Sequence, residues 1–336
     1  MRSRWSRLAA VVATLVLGVD ATAQAPTAPS WSPQVWLHAH NCYPDDGRGA
    51  DRLARALAAA RGTVAIEQDV VWDATRDQSV VSHDPELDGR EPTLEEHFFA
   101  AVTDRLDRAL ALRATATWPI LVLHLDFKTN EPAHHAAIWS LLGRYQRWLT
   151  TAPRVDAGGN VQPLTPGPLL VLTEQGDGQE RLFHDAVPVG TALRIFGTVP
   201  APGAAEGDAP EVRMAKAVSA PPERLIPSGV TNYRRWTNHS WAIVEEGGPP
   251  LAGAWTDADR RRLEALVTRA HDLGLWIRFY TLNGHAPNDE GWSDGYNVGT
   301  LDAVMLRWRA AIAAGVDFIA TDQYEAFSRT RDGMLR

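Results

Sequence analysis

Cysteine, long apolar runs and clustered positive charge are what this sequence has least of. Cys42 is the single cysteine among 336 residues, so no internal disulfide can staple the chain, and stability has to come from core packing or a bound ion. The apolar run from Leu8 to Val19 spans twelve residues, against the roughly 20 needed to cross a bilayer, and no later stretch is longer. Lys and Arg number 33 against 41 Asp and Glu, a formal charge of -8 with no basic block, which argues against nucleic acid as a partner because phosphate backbones are held by neutralising cations. No heptad or Gly-X-Y period is present, and 45% of the residues are hydrophobic, which excludes coiled coil, collagen and disorder. Acidic balance leaves divalent cations open, since hard ions are bound by local carboxylates whatever the net charge.

The first segment reads as an address. Arg2, Arg4 and Arg7 precede the apolar run, and Ala23-Gln24-Ala25 follows as a small-x-small cleavage site, so residues 1–25 are expected to be a secretory signal peptide and the product secreted or periplasmic. Residues 26–336 carry no internal repeat and no composition break, and they read as one domain without a transmembrane segment. Oligomeric state leaves no mark on the sequence.

Short runs rich in Val, Ile and Leu alternate with helical patterns, the mark of βα units around a parallel sheet. Strands are predicted over 35–40, 64–71, 119–127, 169–173, 193–197, 242–244, 276–282 and 316–321, about eight, the number that closes an α/β (TIM) barrel. Two capping boxes mark helix starts: Thr93-Leu-Glu-Glu96, opening a helix to about residue 112, and Thr256-Asp-Ala-Asp259. From the second box Leu263, Leu266, Val267, Ala270 and Leu273 recur at helical spacing until Gly274. Segments 151–168, 198–222 and 284–300 read as long loops. Of the 13 Trp, those at 36, 139 and 276 sit in apolar patterns and are expected in the core.

Polar residues at strand ends are the informative anomaly. His38/His40, Glu67/Asp69, His124/Asp126/Lys128 and Arg278/Tyr280 are each spaced by two, so each set shares one face of its strand, and barrel strands bring their C-terminal ends to one mouth. Three carboxylates at one mouth, Glu67, Asp69 and Asp126, repel unless a cation neutralises them, and oxygen-only ligands suit Mg²⁺ or Ca²⁺. The bland alternative is a structural salt bridge with Lys128. His40, ending the first strand, and His83, in Val80-Val-Ser-His-Asp84, read as a general acid and base pair near this set. His38 and His124 lie deeper and read as supports. Arg278 and Tyr280 read as substrate contacts.

Taken together, these residues resemble the phospholipase C-like phosphodiesterase superfamily, in particular its glycerophosphodiester phosphodiesterase branch. The resemblance is carried by LHAHN, IEQDV, VVSHD followed by TLEE, LHLDFKT, FYTLN and AGVDFIATD, in that order from about residue 35 to 325. It implies a TIM barrel, His40 and His83 as the acid and base pair, Glu67, Asp69 and Asp126 as metal ligands, and Lys128 as a phosphate contact. Asn41 resembles the Asn that follows the catalytic His in calcium-dependent phosphoinositide phospholipases C and implies a further metal ligand. The sequence departs from the glycerophosphodiesterase pattern in having His40-Asn41-Cys42 where that branch has His-Arg-Gly. The expected activity is hydrolysis of a small-molecule or lipid phosphodiester. Three alternatives stay open: a cyclising phosphatidylinositol-type phospholipase C, a zinc amidohydrolase using His38, His40 and Asp322, and a barrel that binds without catalysis. The loop from Gly284 to Gly299, carrying Asp289, Glu290, Trp292, Asp294 and Tyr296, is expected to lie over the mouth.

Overall fold

A computed structural model describes residues 35–44, 50–60, 62–156, 160–176, 178–200, 216–245, 253–280, 282–289, 293 and 295–335. The proposed signal peptide lies outside them.

Eight parallel strands form the barrel: β1 (Trp36–Ala39), β2 (Val64–Asp73), β4 (Leu121–Phe127), β6 (Leu169–Thr173), β8 (Gly197–Thr198), β9 (Arg234–Ser240), β10 (Trp276–Tyr280) and β11 (Phe318–Thr321). They pair in the order β6-β4-β2-β1-β11-β10-β9-β8. The ring closes where Phe196, just before β8, bridges Leu172 of β6, through Phe196 N–H to Val171 O at 3.0 Å and Thr173 N–H to Phe196 O at 2.9 Å. Outside the ring, β3 (Gln78–Val81) returns antiparallel on β2, and β5 (Ala152–Pro153) pairs with β7 (Ala192–Leu193). Helices Arg52–Ala59, Ala100–Leu112, Pro132–Arg144, Asp257–Asp272, Leu301–Ala314 and Tyr324–Met334 pack outside the strands. Among the described residues no helix is long and apolar enough to cross a membrane.

Period-two patterning explains both faces of each strand. In β4, Leu121, Leu123, Leu125 and Phe127 face the helices, while His124 and Asp126 share the opposite face, toward the barrel axis. Both capping boxes form: Thr93 N–H donates to Glu96 at 2.9 Å with Glu96 N–H returning to Thr93 Oγ1 at 3.1 Å, and Thr256 pairs with Asp259 in the same way. The Asp257–Asp272 helix buries Leu263, Leu266, Val267 and Ala270, and Gly274 follows with φ 74°, the left-handed value that glycine adopts without steric cost. Trp36 and Trp276 are buried and Trp139 packs against the core from its edge.

Two strand assignments need correction. Residues 242–244 are not a strand: Trp241–Ile243 form a 3₁₀ turn capped by Ser240, whose Oγ accepts from Ala242 N–H at 3.2 Å. The barrel strand is instead Arg234–Ser240, whose polar sequence hides it; Arg235 is buried because its guanidinium donates to the carbonyls of Asn232 (3.1 Å) and Gln162 (2.7 Å). Three apolar residues in a row carry no period, so strand and turn look alike. The 193–197 segment is divided, with Leu193 pairing outside the barrel with Ala152 and only Phe196 onward joining the ring. The 64–71 strand runs on to Asp73 and folds back as β3, a hairpin that carries His83 to the mouth.

Candidate active site

Parallel register builds the site. On β2 and β4, Glu67 lies beside His124 and, one step toward the mouth, Asp69 beside Asp126. Ligand oxygens of Glu67, Asp69 and Asp126 come within 4.8 Å of one another. Lys128 places its ammonium between two of them, Nζ at 3.0 Å from Asp69 and 2.8 Å from Asp126. Burial together with the charges of Glu67 and Asp126 pushes the Asp69 pKa up to about 8, despite Lys128. A single ammonium therefore leaves the trio under-neutralised, and a hard divalent cation with oxygen ligands fits this donor set.

Glu67 is fixed from the far side of the barrel. Arg278 donates from Nη2 to Glu67 Oε2 at 2.7 Å, from Nε to His38 Nδ1 at 3.0 Å and from Nη1 to Asn238 Oδ1 at 2.9 Å. Burial raises the Glu67 pKa, but Arg278, with His40 and His124, outweighs it and holds the carboxyl below its usual range. Burial and then Arg278 push His38 well below the ordinary histidine value, so His38 is neutral. His38 and His124 lie fully inside the barrel, His124 with Nδ1 at 3.9 Å from Glu67 and Nε2 at 3.4 Å from Glu174. Ligand atoms of His38, Glu67 and His124 also converge within 4.8 Å, but a cation there would meet the Arg278 guanidinium already bonded to two of the three. The zinc amidohydrolase alternative needs His38 to share an ion with His40, and among the described residues no converging group of ligand atoms holds both; His38 instead gathers with Glu67 and His124, its Nδ1 bonded to Arg278.

Just past β1, His40 donates from Nδ1 to Asp322 Oδ1 at 3.1 Å, which leaves Nε2 for a substrate. Asp322 is held in turn by Asn41 Nδ2 at 3.0 Å and Asn283 Nδ2 at 2.7 Å. Burial alone would lower the His40 pKa, but the charges of Glu67 and Asp322 and the Asp322 hydrogen bond raise it to about 9. Asn41 adopts φ 55°, a left-handed conformation that Asn tolerates, and its Oδ1 accepts from Tyr43 OH at 2.8 Å. Arg52 Nη1 on Asn41 O (3.0 Å) and Tyr324 OH on His40 O (2.5 Å) hold this turn. Cys42 beneath it is buried, and burial drives its thiol up to about 12, so it is inert. A tyrosine backs each histidine: Tyr296 stacks on His40 at 5.5 Å and Tyr43 on His83 at 5.9 Å between ring centroids.

His40, Asn41, Glu67, Asp69, His83, Asp126, Lys128, Arg278 and Tyr280 all line one cavity of about 400 Å³, a volume suited to a small ligand. His38 and His124 sit below it. Of the loop over the mouth, Ser293 and Tyr296 reach the cavity, while Glu290, Trp292 and Asp294 lie outside the described residues. Sequence reasoning did not pick Tyr43, Arg52 or Glu174, and took Asp322 only as a zinc ligand. Glu174 carried the same signal as Asp126: an acid in period with the inward Leu170 and Leu172 of an apolar strand.

No family profile and no curated protein matches the chain by sequence. Solved structures similar to it include a glycerophosphoryl diester phosphodiesterase from Parabacteroides distasonis, at 14% identity over 93% of this chain and 88% of that one, TM-score 0.41. A Ca²⁺-dependent phosphatidylinositol-specific phospholipase C from Streptomyces antibioticus matches at 14% identity over 88% and 96%, TM-score 0.44. A Plasmodium falciparum HPPK-DHPS matches at 8% identity over 90% of this chain and 47% of that one, TM-score 0.39.

Proposed function

We propose that this chain is an exported, cation-dependent phosphodiesterase acting on a glycerophosphodiester or phospholipid-type substrate, with residues 26–336 as one catalytic domain. The observation that carries the reading is the convergence of three carboxylates suited to one cation with His40 and His83 on a single cavity of about 400 Å³. The order of motifs from His40 to Asp322 supports it.

Glu67, Asp69 and Asp126 would hold Mg²⁺ or Ca²⁺, joined by Asn41 through the remaining lone pair of Oδ1. When bound, the ion supplies positive charge to a non-bridging phosphate oxygen. Lys128, no longer needed between Asp69 and Asp126, gives its ammonium to the phosphate, where charge develops during displacement. Arg278 stays with Glu67 and keeps that ligand in place. His40 and His83 divide the proton transfers, one taking the proton of the attacking hydroxyl and the other giving one to the leaving alkoxide. Attack by water yields a phosphomonoester and an alcohol. Attack by a hydroxyl of the substrate yields a cyclic phosphate and the same alcohol, and the resemblance of the His40-Asn41 pair to that of calcium-dependent phosphoinositide phospholipases C supports this as the second reading.

Incubation with bis(4-nitrophenyl) phosphate and with 4-nitrophenyl phosphate tests the activity. Cleavage of the diester in preference to the monoester, dependent on added Mg²⁺ or Ca²⁺, is expected. Failure to cleave any diester with either ion would reject the reading.

A further inference from the structure

One side chain that the proposed displacement leaves unused touches two of the groups it needs. Tyr43 follows β1, is buried, and lines the cavity beside Asn41 and His83. Its hydroxyl donates to Asn41 Oδ1 at 2.8 Å. Its ring stacks on the His83 ring, with 5.9 Å between centroids and 24° between planes. Asn41 lies on the turn after β1 and His83 just past β3, so Tyr43 joins two separate units of the barrel at the cavity wall.

Elementary chemistry fixes the direction of the first contact. An amide oxygen has no hydrogen to give and a phenol is protonated at neutral pH, so the hydrogen runs from Tyr43 to Asn41. On the other side of the amide, Asn41 Nδ2 donates to Asp322 Oδ1 at 3.0 Å. The two contacts together hold the amide nitrogen toward Asp322 and leave one lone pair of Oδ1 unused. Without Tyr43, the amide is free to pivot about the Asp322 contact. The turn that carries Tyr43 is itself pinned. The Cys42 carbonyl accepts from Gln68 Nε2 at 2.6 Å and from His97 Nε2 at 3.1 Å, and the Cys42 thiol meets Tyr324 OH at 3.3 Å in the core. His97 lies in the helical turns that the Thr93 and Glu96 capping box opens. Tyr43 is therefore fixed at its backbone, at its ring and at its hydroxyl.

We propose that Tyr43 is a positioning residue with two separable tasks: its hydroxyl orients Asn41 toward a cation at Glu67, Asp69 and Asp126, and its ring holds His83 for proton transfer. The proposal rests on the phosphodiesterase reading, and in neither task does Tyr43 touch the reacting atoms. A donor behind a ligand sets that ligand's direction, and loss of such a partner typically costs roughly 10–100-fold in metal affinity. A misplaced proton-transfer group slows the chemical step instead. The hydroxyl and the ring should thus show their effects in different measurements.

Calorimetric titration of Mg²⁺ and of Ca²⁺ tests the hydroxyl. Tyr43→Phe should bind the ion that the unaltered chain takes about tenfold more weakly. Asn41→Gly should weaken binding too, since glycine keeps the φ of 55° there without the side chain. On that background Tyr43→Phe should cost nothing further, because the two groups act as one. Unchanged affinity in Tyr43→Phe, or an equal loss on both backgrounds, would overturn the link through Asn41. Proton NMR of the cation-free chain tests the ring: His83 ring signals should move in Tyr43→Leu and stay in Tyr43→Phe, which retains the stack. At saturating cation kcat should fall about tenfold further in Tyr43→Leu than in Tyr43→Phe. Unmoved His83 signals, or equal kcat in the two variants, would overturn the second task. Where Tyr43→Leu does not fold, Tyr43→Met, a more adaptable filler, takes its place. An unaltered chain that binds neither ion would overturn this proposal and the phosphodiesterase reading together. One that binds an ion yet cleaves no diester would overturn only the latter, with calorimetry and NMR still deciding the part of Tyr43.

Discussion

Asp69 and Asp126 lie side by side in the parallel register of β2 and β4, and Lys128 sits between their carboxylates at 3.0 and 2.8 Å. The ammonium occupies the position that a divalent cation would neutralise better. Replacing either acid by its amide removes a ligand and leaves Lys128 one partner, so the barrel survives while the cation site does not. Asp69→Asn should lose at least a thousandfold in diester cleavage with an unchanged far-ultraviolet circular dichroism spectrum, in the manner of an absent metal-held charge. Near-normal turnover in this variant would show the cluster to be a salt bridge only.

Proton linkage gives a second expectation. With no cation, Asp69 holds its proton up to about pH 8 and His40 up to about pH 9, each above its unfolded value. Between the unfolded and folded pKa values the folded chain binds more protons than the unfolded one, so the stability of the cation-free protein declines as pH rises toward 9. Cation binding expels the Asp69 proton, and affinity should therefore fall by up to about tenfold per pH unit below 8. Thermal melts from pH 5 to 9 with chelator, and calorimetric titrations in buffers of different ionisation enthalpy, read both effects. A pH-independent affinity would contradict the assignment of Asp69 as a ligand.

His40→Ala and His83→Ala should each reduce turnover by about two to four orders of magnitude, the usual worth of a positioned proton-transfer group. The double variant should be little worse than the poorer single, because both act in one displacement. Asp322→Asn removes a charge and a charge-assisted hydrogen bond from His40, so proton NMR should find its pKa lowered from about 9. A variant with normal turnover would mark that histidine as structural.

Arg278 is almost fully buried and is the main counter-charge to Glu67. Arg278→Leu leaves that carboxylate buried without its partner and should destabilise the fold by roughly 3–5 kcal/mol, read from denaturant midpoints. Arg278→Leu combined with Glu67→Gln should recover part of the loss. If the single substitution changes stability by less than about 1 kcal/mol, surface-like screening applies and the pair does not hold the site.

How much of this was legible in the sequence depends on whether polar residues interrupted an apolar strand. His40, Glu67, Asp69, Asp126 and Lys128 stood out because they end strands of Val, Ile and Leu, and the structure gathers them at one mouth. β9 was missed because Arg234, Arg235, Asn238 and His239 give it a polar sequence; Arg235 is nonetheless buried, and it donates to Gln162 O on a distant segment. The β2–β3 hairpin was missed because its turn lies beyond the apolar run that marked the strand. Asp322 was visible at the end of β11, but its hold on His40 is a contact across 282 residues that spacing does not encode.

Phosphorus-31 NMR of products, followed in one tube through chelation and cation return, tests the central claim most directly. With Mg²⁺ or Ca²⁺ present, a phosphodiester signal should give way to a phosphomonoester or a five-membered cyclic phosphate. Exhaustive chelation should stop the conversion and added cation should restart it. Conversion that continues unchanged after chelation would contradict a cation held by Glu67, Asp69 and Asp126 as the source of the reaction.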